Sequence, residues 1–117
     1  MRLLLILTIL LAAGCEEGAD LGECPPSSDA QQLAGRQVVV GRCQNCHDSA
    51  KTGAARQEAP EDLNFDDLAT VRAEAESMYG AVVEGEMPED GSLTDAETED
   101  VRVWLACGAQ DVQPPTP

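Results

Sequence analysis

The stretch VVVGRCQNCHDSA, residues 38–50, contains the only histidine of the 117-residue chain. His47 follows directly on Cys46, and Cys43 lies three residues before Cys46. Two thiols and an imidazole so close together serve three known chemistries. They can ligate zinc, exchange thiol for disulfide, or attach a haem covalently. The rest of the sequence separates the three.

A structural zinc site takes four Cys or His ligands, usually as two close pairs. Here Cys24 and Cys107 stand alone and no second histidine exists. A redox Cys-x-x-Cys sits between a strand and a helix in a thioredoxin-like setting. This one follows a helical pattern in a chain without strand signals. For haem, two thiols spaced by two residues suit the two vinyl groups along one porphyrin edge, and the adjoining histidine suits the iron. The motif therefore reads as c-type haem attachment, with Cys43, Cys46 and His47 as the binding residues.

Working outward, the segment before the motif predicts a helix that delivers it. Ser28 and Gln31 are spaced as a capping box, and Ala30, Leu33, Ala34 and Val38 share a face. Gly41 is a candidate end. A second helix is predicted over TDAETEDVRVWLACG, residues 94–108. Thr94 and Glu97 form a capping box there, acids lie in the first turn, and Val101, Trp104, Leu105 and Gly108 line one face, with Gly108 as the stop. Between them, residues 65–85 predict one or two helices, with Leu68, Val71 and Ala75 on one face, Met78, Val82 and Val83 on another, and Gly80 as a possible divider. The domain is expected to be all-α.

The composition agrees with a bound cofactor. One Trp, one Tyr and one Phe give a domain of this size little aromatic mass for a core, and a large apolar group would fill the gap. The net charge of −15, from 22 acids and 7 bases, excludes nucleic acid as a partner and favours steering toward a basic protein.

The N-terminus MRLLLILTILLAAGC carries one Arg, an apolar run too short to span a bilayer, and small residues before Cys15. It reads as a bacterial export signal over 1–14. LAAGC resembles the lipobox of bacterial lipoproteins, in which the cysteine is lipidated and becomes the new N-terminus, although Ala12 stands where Leu, Val or Ile is usual. The expectation is an exported, periplasmic protein tied to a membrane through lipid on Cys15. Residues 15–28 then form an acidic linker and 110–117 a disordered tail, leaving 24–109 as the folded unit. With Cys15 lipidated and Cys43 and Cys46 in the motif, Cys24 and Cys107 remain as an even pair in an oxidising compartment. A disulfide between them is expected.

The far side of the iron needs a sixth ligand or stays open. Met78 lies in an apolar helical pattern, whose default role is packing. Met87 lies in the loop EGEMPEDG, where a side chain can be presented to a cofactor. Met87 is the expected ligand.

CQNCH, EMP forty positions beyond His47, and a capped terminal helix ending VWLACGA together resemble a small class I c-type cytochrome. The resemblance covers about residues 24–109. It implies a helical fold wrapped around one haem c, with first and last helices crossing, His47 and Met87 on the iron, and a Met loop closing the pocket. It also brings Cys24 and Cys107 together. In the family a proline carbonyl often holds the ligand histidine, which would be Pro60 here. The lysine ring of some relatives is absent. The implied function is electron transfer to and from redox partners, without substrate chemistry and therefore without a catalytic residue. Two rivals remain: an electron-transfer subunit of a larger oxidoreductase, and an open-iron haem peroxidase or gas sensor. The second would need Met87 unbound and usually a distal His or Arg, for which only Arg56 or Arg72 could serve.

Overall fold

The computed structural model describes residues 18–117. The export-signal and Cys15 lipidation expectations fall on residues 1–17 and lie outside the described residues.

Three α-helices carry the chain: α1 over Asp29–Val38, α2 over Leu68–Val83 and α3 over Asp95–Ala106. There is no strand among the described residues. A π-helical turn, Val39–Cys43, extends α1, and a 3-10 turn, Gly53–Arg56, lies in the long connection to α2.

α1 packs on α3, and α2 packs on α3. The α1 face differs from the expected one. Gln32, Gly35 and Val39 are buried, whereas Leu33, Ala34 and Val38 are half-buried and Ala30 is exposed. The cause is Gly35. A Cβ there would lie 2.1 Å from the Asp100 carbonyl oxygen and 2.9 Å from Trp104 Cβ. The missing side chain lets the two helices close along that row, which turns the larger residues to the flanks.

α3 forms where its sequence predicts, with Val101, Trp104 and Leu105 buried as expected, but Val103 is buried as well and Gly108 is exposed. The Thr94 hydroxyl accepts from the Glu97 amide and the Glu97 carboxylate accepts from the Thr94 amide, at 3.1 and 2.9 Å. Gly108 ends the helix at φ 88°, a conformation that costs glycine nothing. Trp104 is 1 % exposed, and its indole N–H donates to the Gln110 carbonyl at 2.9 Å.

Three expectations are corrected. The Ser28–Gln31 capping box does not form. Ser28 has φ −104° and ψ 19°, away from the extended conformation of a cap, and its hydroxyl donates to the Pro25 carbonyl while accepting from Gln32 Nε2. Gly80 does not divide α2: its carbonyl accepts from the Glu84 amide and the helix runs through it. Val83 is 55 % exposed rather than packed.

The segments at either end of the fold also dock. Leu21 packs against the core, the Ala19 amide donates to the Glu76 carbonyl, and Arg102 donates to the Leu21 and Glu23 carbonyls. Beyond α3, Arg36 binds the Asp111 carboxylate and the Val112 carbonyl, and Val112 packs against the core. A disulfide joins Cys24 to Cys107 across 83 positions. It ties the entry to α1 to the end of α3, as expected. No helix among the described residues is long and apolar enough to cross a membrane.

Candidate functional site

The π-helical turn sets the site. The Gln44 amide reaches back five residues to the Val39 carbonyl at 3.1 Å. One extra residue in a turn rotates everything after it by about 100° around the axis. The chain then closes one more turn, with the Cys46 and His47 amides both donating to the Cys43 carbonyl at 3.2 and 3.0 Å. That turn holds Cys43, Cys46 and His47 together. All three line a cavity of about 610 Å³, with Phe65, Met78 and Met87 on its other walls.

His47 is buried and held on three sides. Its ring stacks on Phe65 with centroids 4.5 Å apart and planes 26° apart. Its own carbonyl accepts from the Phe65 amide at 2.8 Å, and Gln44 Nε2 donates to the Phe65 carbonyl at 3.0 Å. Nδ1 lies 3.0 Å from the Leu63 carbonyl oxygen. A carbonyl can only accept, so Nδ1 carries the proton. In the neutral imidazole that leaves the lone pair on Nε2, the form a metal ligand needs.

The carbonyl is not the one expected. The Pro60 oxygen accepts from Arg56 Nη2 at 2.5 Å and from the Leu63 amide at 3.1 Å, a turn that carries the chain on to Leu63. Leu63, three residues later, supplies the partner of His47.

The two methionines both reach the cavity. Met78 belongs to the buried core on α2. Met87 lies in the loop after α2, is 38 % exposed, and its amide donates to the Ala81 carbonyl at 3.2 Å. Arg42 ties that loop to the π-helical turn, donating to the Gly91 carbonyl at 2.7 Å and to Asp90 at 3.2 Å. The loop that carries Met87 is thereby fastened to the residue beside Cys43.

Cys43 and Cys46 are free thiols. Burial pushes the Cys43 thiol up to about 11; the Arg42 guanidinium works against that, and the Asp90 carboxylate adds to it. No group of three or more His, Cys, Asp or Glu side chains converges on a common point among the described residues.

The size and lining of this cavity fit a haem. The cavity volume falls within the range of about 300–1,000 Å³ typical of ligand sites. Its walls include apolar and thioether side chains, two thiols three residues apart border it, and His47 has its distal nitrogen free. Glu58, Glu74, Glu89 and Asp90 line the cavity beside Arg42 and Lys51, so the charged groups along it are mainly acidic.

Two contributors have roles the sequence does not indicate, Arg56 entering only as a distal candidate of the open-iron rival. Phe65, the only phenylalanine, falls in the helical segment expected from residue 65, but α2 begins only at Leu68 and Phe65 lies in the turn before it. Arg56 looks like a surface residue between alanines and a glutamine, yet it is 4 % exposed. Neither has a periodic signal.

In comparisons with known proteins, the chain matches no protein-family model, no curated protein and no solved structure.

Proposed function

We propose that this chain is a monohaem c-type cytochrome with a cytochrome c-like fold, acting as an electron carrier held near a membrane by lipid on Cys15 after export to the periplasm. The observation that carries the reading is the seating of His47. Its Nδ1–H is fixed on a main-chain carbonyl, its ring lies against Phe65, and both cysteines of its own motif border the same cavity.

Cys43 and Cys46 would each add a thiol S–H across a vinyl C=C. A carbon–sulfur bond forms, the hydrogen goes to the neighbouring carbon, and no oxidant is consumed. His47 Nε2 and the Met87 thioether would hold the iron. When bound, the haem supplies reversible one-electron chemistry, with a potential raised by Met/His ligation. Phe65 and Leu63 orient the imidazole, and the Arg42 bonds to Asp90 and Gly91 hold the Met87 loop against the motif. The acidic residues along the cavity steer a redox partner with a basic docking face. No residue is assigned substrate chemistry.

Absorbance of the exported full chain, oxidised and reduced, tests the reading. A low-spin c-type spectrum with a weak methionine–iron band in the red is expected, and the pigment should stay with the protein in acid acetone. Met87→Ala should abolish that band and Met78→Ala should leave it. The reverse result transfers the ligand to Met78. A colourless protein from a host that matures such pigments ends the proposal.

A further inference from the structure

Arg56 is a buried charge for which the proposed function has no use. It lies at the end of the 3-10 turn Gly53–Arg56 and is 4 % exposed. No carboxylate pairs with it among the described residues. Instead its donors all meet main-chain carbonyls. Nε donates to Ala59 at 3.2 Å, Nη1 to Asp48 at 2.8 Å and Lys51 at 3.3 Å, and Nη2 to Pro60 at 2.5 Å and Leu63 at 3.5 Å. The planar fork gathers the loop from Asp48 to Leu63 around one point, which no other side chain type can do.

The Leu63 carbonyl is the one that holds His47 Nδ1. One oxygen therefore accepts from both the imidazole and the guanidinium. Taking a guanidinium out of water is costly unless its surroundings compensate. Here carbonyl dipoles compensate it, and burial leaves its charge less screened by salt than a surface charge would be.

We propose that Arg56 is the positioning residue for His47 and tunes it as a ligand: it fixes the Leu63 carbonyl and keeps a permanent positive charge behind the imidazole. The inference rests on the haem reading. Two effects act in the same direction. The guanidinium draws on the electron density of the Leu63 oxygen, which weakens that oxygen as acceptor for Nδ1–H and makes the imidazole a poorer electron donor. A nearby positive charge also disfavours the more positive, oxidised state of the site. Both raise the reduction potential.

The test uses the pigmented full chain and two variants. Arg56→Gln removes the charge. Its potential should fall by the equivalent of about tenfold in the electron-transfer equilibrium constant, about 59 mV for one electron. Arg56→Lys keeps the charge but has three donors on one nitrogen. It should recover most of the potential while its His47 ring N–H, followed by NMR in the reduced protein, exchanges with solvent about tenfold faster than in the parent. A Gln variant within about twofold of the parent equilibrium constant makes Arg56 a loop strut and overturns the proposal. If the Gln variant does not mature, the Lys variant decides alone, and unchanged ring N–H exchange overturns it. Loss of pigment in the parent chain would instead be a failure of the haem reading, seen before any substitution is made.

Discussion

Around Gly35 the chain meets itself by close helix packing, backbone against backbone and Trp104; around His47 it meets itself through polar side chains on main-chain carbonyls. At the first place, α1 and α3 approach until no Cβ fits between them, Trp104 is buried, and a disulfide closes the pair of helix ends. At the second, the loop from Gln44 to Asp67 gives the core only Phe65 and part of Leu63. Arg56, Gln44 and Asp66 hold it by hydrogen bonds to backbone. The crossing needs nothing from outside the chain. The loop is ordered by polar groups on one side and leaves its other wall free to face a cofactor. Stability and function are therefore separable, and substitutions in the two regions should read out differently.

The largest separation is expected from Gly35→Val. Its Cβ would lie 2.1 Å from the Asp100 carbonyl oxygen and 2.6 Å from the carbonyl carbon, both backbone atoms that cannot turn aside. We expect a loss of about 4 kcal/mol or more in denaturant unfolding, with an unaltered spectrum from whatever fraction remains folded. A loss below about 1 kcal/mol would show that the helices are not in contact there. Next comes the disulfide. Cys24→Ser with Cys107→Ser opens a closure of 83 positions and should cost about 4 kcal/mol, less whatever strain is relieved. The midpoint of thermal unfolding should fall while the spectrum of the proposed haem stays. A changed spectrum would mean that the crossing and the site are coupled. A smaller step is Thr94→Ala, which removes one half of the capping box and should cost about 1 kcal/mol, again without spectral change.

The two regions also differ in how far the sequence reveals them. The crossing is written in local signals: Thr94 and Glu97 three apart, an apolar row at helical spacing, Gly108 after the last turn, and two cysteines left over. Apart from the cysteine pair, which spans 83 positions and follows by elimination, each is a short-range rule, and each holds. Where the local signal depends on a neighbour, it fails. Ser28 and Gln31 have the right spacing for a cap, but the Pro25 carbonyl takes the Ser28 hydroxyl. The Leu33 face of α1 looks strongest by hydropathy, but the empty place at Gly35 decides which row meets α3. The π-helical turn at Val39–Cys43 carries no propensity signal at all. At the site, Cys43, Cys46, His47 and Met87 are legible because their chemistry is rare, and the structure brings them to one cavity. Arg56, Leu63 and Phe65 are not legible: an arginine bound to carbonyls, or a carbonyl bound to a histidine, leaves no periodicity. The Pro60 expectation failed for that reason, since it named a residue type where the structure uses only a main-chain oxygen.

The smallest effect gives the sharpest test of the contrast, because acid should act on the loop and spare the crossing. Asp66 closes the loop onto Ser49, accepting from the Ser49 amide at 2.9 Å and from its hydroxyl. Those two bonds hold its carboxyl below the usual carboxylate range, with a smaller contribution from the Arg56 guanidinium. A carboxylate whose folded pKa lies below its unfolded value stabilises the fold above that unfolded value, about 3.9. The contribution is lost as pH falls through the lower, folded value. Asp66 is exposed, so the effect is well under about 1 kcal/mol. Ser49→Ala removes the hydroxyl bond and should move the acid bleaching of the site to higher pH. The helical far-ultraviolet signal, set by α1, α2 and α3, should keep its own acid midpoint. If both midpoints move together, the loop and the helix crossing unfold as one unit, and the division drawn between them is wrong.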